Sequence, residues 1–192
     1  KRNGKHSAPQ QEINELLLAK AEEGKLVVRL KGGDPYVFGR GAEEVLYLKE
    51  KGIETEEIPG ISSAIAIPAM AGIPVTHRNV SRSFSVITGH TAPADESDVT
   101  ALHSDIKNSA AMDGTCVYLM GLTHLKEIAD TLMQEGKPAD TPAAVISGGF
   151  DGSYRAVYGT LRDIAEKTAK EGIESPAVIV TGDVVGFQEK LK

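Results

Sequence analysis

The sequence predicts an α/β protein in two parts, a partial parallel α/β domain over residues 1–80 followed by a mixed-sheet α/β domain over 81–192. Three observations predict it. Short apolar runs such as Leu26–Leu30 and Ala177–Thr181 alternate with longer stretches of helical spacing, the rhythm of strand-loop-helix units. Glycine-rich turns follow several of the runs. Only the six residues Gly148–Ser153 separate the runs Ala143–Ser147 and Tyr154–Tyr158, too few for a parallel crossover, so that pair is antiparallel and its sheet mixed.

In chain order, Ser7 and Gln10 have capping-box spacing, and Ile13, Leu16, Leu17 and Ala21 keep helical period until Gly24. Leu26–Leu30 reads as a buried parallel strand emptying into Gly32-Gly33-Asp34-Pro35. A helix over about 42–51 ends at Gly52, and a short strand near 55–58 meets Pro59-Gly60. Ser62 caps a small-residue helix, Ser63 to Ala71, interrupted by Pro68. The boundary is expected near 76–82. Strands then follow at Phe84–Thr88, Thr115–Met120, Ala143–Ser147, Tyr154–Tyr158 and Ala177–Thr181, with helices near 123–135 and 161–171. Thr91–Asp113 is polar, with one weak helical pattern in Val99, Leu102 and Ile106, and reads as a long surface excursion.

Composition narrows the function. The chain has 21 Lys+Arg against 27 Asp+Glu, a net charge of −6, which argues against a general nucleic-acid binder. Positive charge concentrates in residues 1–40, with eight Lys/Arg against five Asp/Glu, enough for a local anion site. No apolar run is long enough to span a bilayer. One cysteine, Cys116, rules out an internal disulfide and offers no zinc spacing with His6, His90, His103 or His124, so no metal and a reducing cytoplasm are expected. The start, Lys1-Arg2-Asn3-Gly4-Lys5-His6, has neither an initiator Met nor the apolar core of a signal peptide, the pattern expected of a fragment.

Two turns stand where ligands collect in open α/β sheets. In Gly32-Gly33-Asp34-Pro35 the glycines let a ligand approach the backbone, and Asp34 offers two acceptor oxygens, although a plain strand-to-helix turn accounts for the same residues. Pro59-Gly60-Ile61-Ser62-Ser63-Ala64 opens a helix with small, hydroxylated residues. His77, in Thr76-His77-Arg78, reads either as a titrating group or as a structural hydrogen-bonder.

Together, Lys1-Arg-x-Gly-x-His6, Val27 to Gly41 with its Gly-Gly-Asp-Pro-Tyr-Val-Phe-Gly-Arg-Gly core, Pro59–Ala64, Ala71–Arg78, Thr88-Gly-His90 and Tyr118-Leu-Met-Gly121 resemble the uroporphyrinogen-III C-methyltransferases of the tetrapyrrole methylase family. The resemblance runs on through Ala139–Pro142, Gly159-Thr-Leu161 and Ser175-Pro-Ala177. It implies a two-domain tetrapyrrole methylase fold, a homodimer, and S-adenosylmethionine bound between domains, with S-adenosylhomocysteine as product. By position the cofactor contacts are Gly32, Gly33, Asp34, Val37, Ser62, Ser63, Met120 and Gly149; Ser63 replaces an alanine often found there. The family methylates carbons 2 and 7 of uroporphyrinogen III to give precorrin-2, for siroheme and cobalamin. Its proton-transfer lysine falls on Lys1, which equally reads as a solvated terminal lysine. The carboxylate-rich substrate makes Arg40, Thr76, His77 and Arg78 the expected substrate contacts, with Arg2 and Lys5 as further cations.

Relatives carry an upstream first strand and a further Gly-rich loop, so the resemblance implies an incomplete first domain and an inactive fragment. Some relatives are fused to uroporphyrinogen-III synthase. Another corrin-pathway methylase, a distant relative acting on ribosomal RNA or a diphthamide precursor, or a noncatalytic cofactor- or tetrapyrrole-binding remnant are the alternatives.

Overall fold

The computed structural model describes residues 9–89, 96–149 and 153–191. The chain divides into two compact units, Lys1–Ser62 and Ser63–Lys192. The boundary expected near 76–82 lies inside the second of them.

The first unit is built on helices α1 (Gln10–Glu22) and α2 (Gly41–Glu50). Pro9 stands at the N-cap of α1, and its carbonyl accepts the Ile13 amide at 3.2 Å. The Ser7 of the expected capping box lies outside the described residues. Gln10 turns its amide to Asn14 and Glu44 instead of closing a box. Helix α2 ends where Gly52 takes a left-handed φ of 77° and the Ile53 amide reaches back to the Leu48 carbonyl.

The strands expected at 26–30 and 55–58 do not form, because no strand among the described residues lies beside either segment to complete a ladder. The first segment is extended, with Leu26, Val28 and Leu30 at 94%, 78% and 85% exposure, while Val27 and Lys31 turn inward. The apolar run signalled burial on both faces; here one face is covered.

The second unit contains α3 (Ser63–Met70), β1 (Phe84–Thr88), α4 (Glu96–Ala110), β2 (Thr115–Leu119), α5 (Leu125–Gln134), β3 (Pro142–Ser147), β4 (Arg155–Thr160), α6 (Ile164–Lys170), β5 (Ala177–Thr181) and α7 (Gln188–Leu191). The sheet order is β1-β2-β5-β3-β4. β1 and β2 are parallel, and the other pairs are antiparallel, β3 with β4 in the register Val145 to Val157. The mixed sheet and its antiparallel pair are as the sequence predicts.

β2 and β5 are buried along their whole length because both sheet faces carry a core. On one face Cys116, Tyr118, Val145 and Ile179 pack with Leu102 and Ile106 of α4, Ile128 and Leu132 of α5, and Ile164 of α6. On the other, Val117, Leu119, Ile146 and Val180 pack with Ala64 and Ile67 of α3, Ile73, Val184 and Val185. Each such aliphatic side chain contributes about 1.5–3 kcal/mol by leaving water.

The surface excursion expected over 91–113 is a correction. From Glu96 it is a 15-residue helix whose Leu102, Ile106 and Ala110, spaced by four, form a buried stripe. Its polar outer face masked the period. Residues 91–95 lie outside the described residues.

Candidate functional site

In the first unit, the Gly32–Pro35 turn is fastened to the Pro59-Gly60 turn through Asp34. Its Oδ2 accepts the Gly60 amide at 3.1 Å and its Oδ1 accepts the Tyr36 amide at 2.9 Å. These bonds, Gly60 first, hold the Asp34 carboxyl below the usual carboxylate range. Both oxygens are therefore engaged within the protein, and Asp34 fastens the two loops to one another. Gly60 is required by this approach, since a Cβ there would fall 2.5 Å from the Gly33 carbonyl oxygen. Gly33 itself has φ 121°. Beyond Pro35 the chain exposes Tyr36, Val37 and Phe38, and both Phe38 and Arg40 take left-handed backbone angles.

Arg40 forks onto Glu43, with Nε to Oε1 at 2.9 Å and Nη2 to Oε2 at 2.6 Å. This pair is exposed and costs little to open.

Glu44 was not anticipated. It is 4% exposed, and its carboxylate receives Lys31 Nζ at 2.9 Å, Gln10 Nε2 at 3.0 Å and Arg29 Nε at 3.3 Å. Burial pushes its carboxyl up, and the bonds from Lys31 and Gln10 with the charges of Arg29 and Lys31 outweigh burial, leaving it lowered. Arg29 and Lys31 are thus committed to an internal partner. The only sequence signal was two cations at alternate positions just before a Gly-Gly turn.

In the second unit the topology gathers Gly89, Met120, Gly121, Gly148 and Gly149 at one sheet edge, because β1, β2 and β3 all run toward it. Met120 combines φ 57° with 50% exposure, an uncommon backbone for a side chain presented to solvent. Gly121 backs directly onto Gly89. Among the described residues, a Cβ on Gly149 would meet nothing within 4 Å. A soft thioether beside bare backbone suits a ligand with both apolar and polar parts.

Thr76, His77 and Arg78 stand elsewhere. The His77 amide donates to the Ser81 carbonyl at 3.0 Å, and Ser81 Oγ lies 3.0 Å from Thr115 Oγ1, at the start of β2 and so at the opposite sheet edge from Met120. His77 Nδ1 donates to the Arg78 carbonyl at 2.7 Å, and its ring lies 4.2 Å from that of Phe187. These contacts fix the orientation of the ring. Arg78 is exposed and makes no ion pair among the described residues. Ser62 is buried at the end of the first unit, and Ser63 begins α3. Lys1, Arg2, Lys5, His6 and His90 lie outside the described residues.

Among the described residues no cluster of three or more His, Cys, Asp or Glu side chains could hold a metal ion. No helix there is long and apolar enough to cross a membrane.

Residues 1–165 match the model for the tetrapyrrole (corrin/porphyrin) methylases. The chain is 52% identical over 189 residues to a uroporphyrinogen-III C-methyltransferase of Methanocaldococcus jannaschii, covering 96% of this chain and 74% of that protein. It is 49% identical over 188 residues to an S-adenosyl-L-methionine-dependent uroporphyrinogen III methyltransferase of Methanosarcina barkeri, covering 98% and 72%. The crystal structure of the Thermus thermophilus uroporphyrin-III C-methyltransferase, complexed with S-adenosylhomocysteine, superposes with a TM-score of 0.77 at 35% identity, over 92% of this chain and 74% of that one. With the family model matching most of the chain and relatives this similar over nearly all of it, the chain belongs to the tetrapyrrole methylase family.

Proposed function

We propose that the protein acts in the S-adenosylmethionine-dependent C-methylation of uroporphyrinogen III, at carbons 2 and 7, giving precorrin-2 for siroheme and cobalamin. The observation that carries the reading is 52% identity, over 96% of the chain, to a protein of that activity. The residues fit the cofactor: Gly149 has no described neighbour within 4 Å of where a Cβ would stand, Met120 presents a half-exposed thioether, and Asp34 holds two glycine turns together. Gly32, Gly33, Asp34, Val37, Ser62, Ser63, Met120 and Gly149 are its proposed contacts. Bound S-adenosylmethionine supplies a methyl group on an electrophilic sulfonium. The chain's own task is to hold donor and acceptor in line, which alone supplies a large part of such a rate enhancement. Arg40 is proposed to release Glu43 and receive a substrate carboxylate, and Thr76, His77 and Arg78 to serve as more distant carboxylate contacts. Lys1 is the proposed proton-transfer group. The working form is proposed to be a cytoplasmic homodimer.

A second reading, cofactor holding without turnover, is favoured by segment 26–31, which leads into the Gly32 turn and joins no strand among the described residues. Calorimetry with S-adenosylhomocysteine, followed by an anaerobic methylation assay on uroporphyrinogen III, separates them. Binding with precorrin-2 formation supports the first reading, and binding alone the second. No binding at millimolar ligand refutes both.

A further inference from the structure

We propose that Glu44 is a positioning residue that clamps the Gly32–Pro35 turn; the proposal rests on the reading of that turn as a cofactor contact. A carboxylate at 4% exposure is costly to hold unless it is paired and hydrogen-bonded, and Glu44 is both. Its strongest partner is Lys31, the residue immediately before Gly32, whose side chain is itself only 11% exposed. One turn earlier on α2, the Gly41 amide donates to the Pro35 carbonyl at 3.0 Å. Position 41 admits no side chain, since a Cβ there would lie 2.7 Å from the Pro35 carbonyl oxygen.

The entrance of the turn at Lys31 and its exit at Pro35 are therefore both attached to the first turns of one helix. Two glycines between them would otherwise leave this backbone unusually free. Fixing both ends removes that freedom before any ligand arrives, and it is the arrangement in which Asp34 reaches the Gly60 amide. Gln10 ties the same carboxylate to α1, and Arg29 adds a second charge from the approach to the turn. Without Glu44, Lys31 has no internal counter-charge and the entrance of the turn is released.

A merely structural ion pair would lower stability and leave the folded protein's affinity unchanged, so the test reads both. Two variants of the full chain are compared with wild type: Glu44→Gln, which keeps shape and loses charge, and Glu44→Leu with Lys31→Met, which fills the same space with apolar groups. Measurements are the thermal midpoint, S-adenosylhomocysteine titration, and hydrogen exchange of the Gly60 amide. Both variants are expected to weaken binding about tenfold or more and to speed Gly60 exchange about as much. The double variant is expected to recover the wild-type midpoint without recovering either. If Glu44→Gln fails to fold, the double variant carries the test. Wild-type affinity and exchange in the double variant would overturn the clamp. If wild type itself fails to bind, the cofactor reading falls. The clamp is then decided by Gly60 exchange, faster exchange in the double variant supporting it and unchanged exchange overturning it.

Discussion

Replacing Gly89 by alanine tests whether the sheet edge beside Met120 is as tightly built as its backbone implies. β1 and β2 end in a pair between Thr88 and Leu119, and the Gly89 amide continues the ladder to the Leu119 carbonyl at 2.7 Å. A Cβ on Gly89 would fall inside van der Waals contact with Gly121 Cα, 3.0 Å from Gly121 N and 3.4 Å from the Met120 carbonyl carbon. Carbon atoms rest about 3.5–4.0 Å apart, so the two strand ends must part by roughly 1 Å. That forfeits the Gly89 hydrogen bond, about 1 kcal/mol, and adds an overpacking cost of about 1–3 kcal/mol. The reduced freedom of the unfolded chain returns about 0.4–1 kcal/mol. The net loss is about 1–3.5 kcal/mol, and for a unit of this size roughly 3–4 °C of midpoint accompanies each kcal/mol. Thermal unfolding by circular dichroism should therefore fall by about 3–14 °C, with weaker S-adenosylhomocysteine binding in the same variant. A midpoint within about 1 °C of wild type and unchanged affinity would refute the close-approach argument.

Gly149→Ala provides the contrast: its Cβ meets nothing among the described residues, so the midpoint should hold while S-adenosylhomocysteine affinity drops, and unchanged affinity would remove Gly149 from the cofactor contacts. Arg78→Ala should raise the apparent KM for uroporphyrinogen III more than that for S-adenosylmethionine; equal effects on both would assign Arg78 to the 77–81 hairpin. Asp34 and Glu44 both have lowered carboxyl groups in the folded state. Their contribution is thus present above the unfolded carboxylate pKa of about 4 and is lost as pH falls through the lower folded values. The protection of the Gly60 amide, its exchange measured relative to the intrinsic rate at each pH, should start to fall below about pH 4, and protection held constant down to the acid unfolding of the protein would contradict the Asp34 geometry.

What the sequence revealed depended on how local the cause was. Thr115–Leu119 and Ala177–Thr181 were legible as strands because both of their faces are buried, which leaves a continuous apolar signature. Leu26–Leu30 carries the same signature without a neighbour to pair with among the described residues, since a strand is a property of two segments and the run describes only one. Helix α4 was obscured for the opposite reason: a sparse stripe of Leu102, Ile106 and Ala110 suffices to bury it, and the polar residues between outweigh the stripe. At the site, the two glycine turns were visible as turns, while the Asp34 bond to Gly60 spans 26 positions and leaves no local trace. Glu44 was hidden beside Glu43 in an ordinary acidic helix start.

The burial of Cys116 in the central region of the sheet has a practical consequence. It is the single thiol in the chain and is 3% exposed on β2, and burial pushes its thiol up, away from the reactive thiolate. Fraying of termini or loops does not uncover it, because β2 lies between β1 and β5 with helices over its face. A thiol-specific reagent in excess therefore scores openings of the second unit as a whole, one label per molecule, against a background without competing cysteines. In mixtures with cofactor or with any variant above, the labelling rate reports how often that sheet comes apart, with no probe added to the protein.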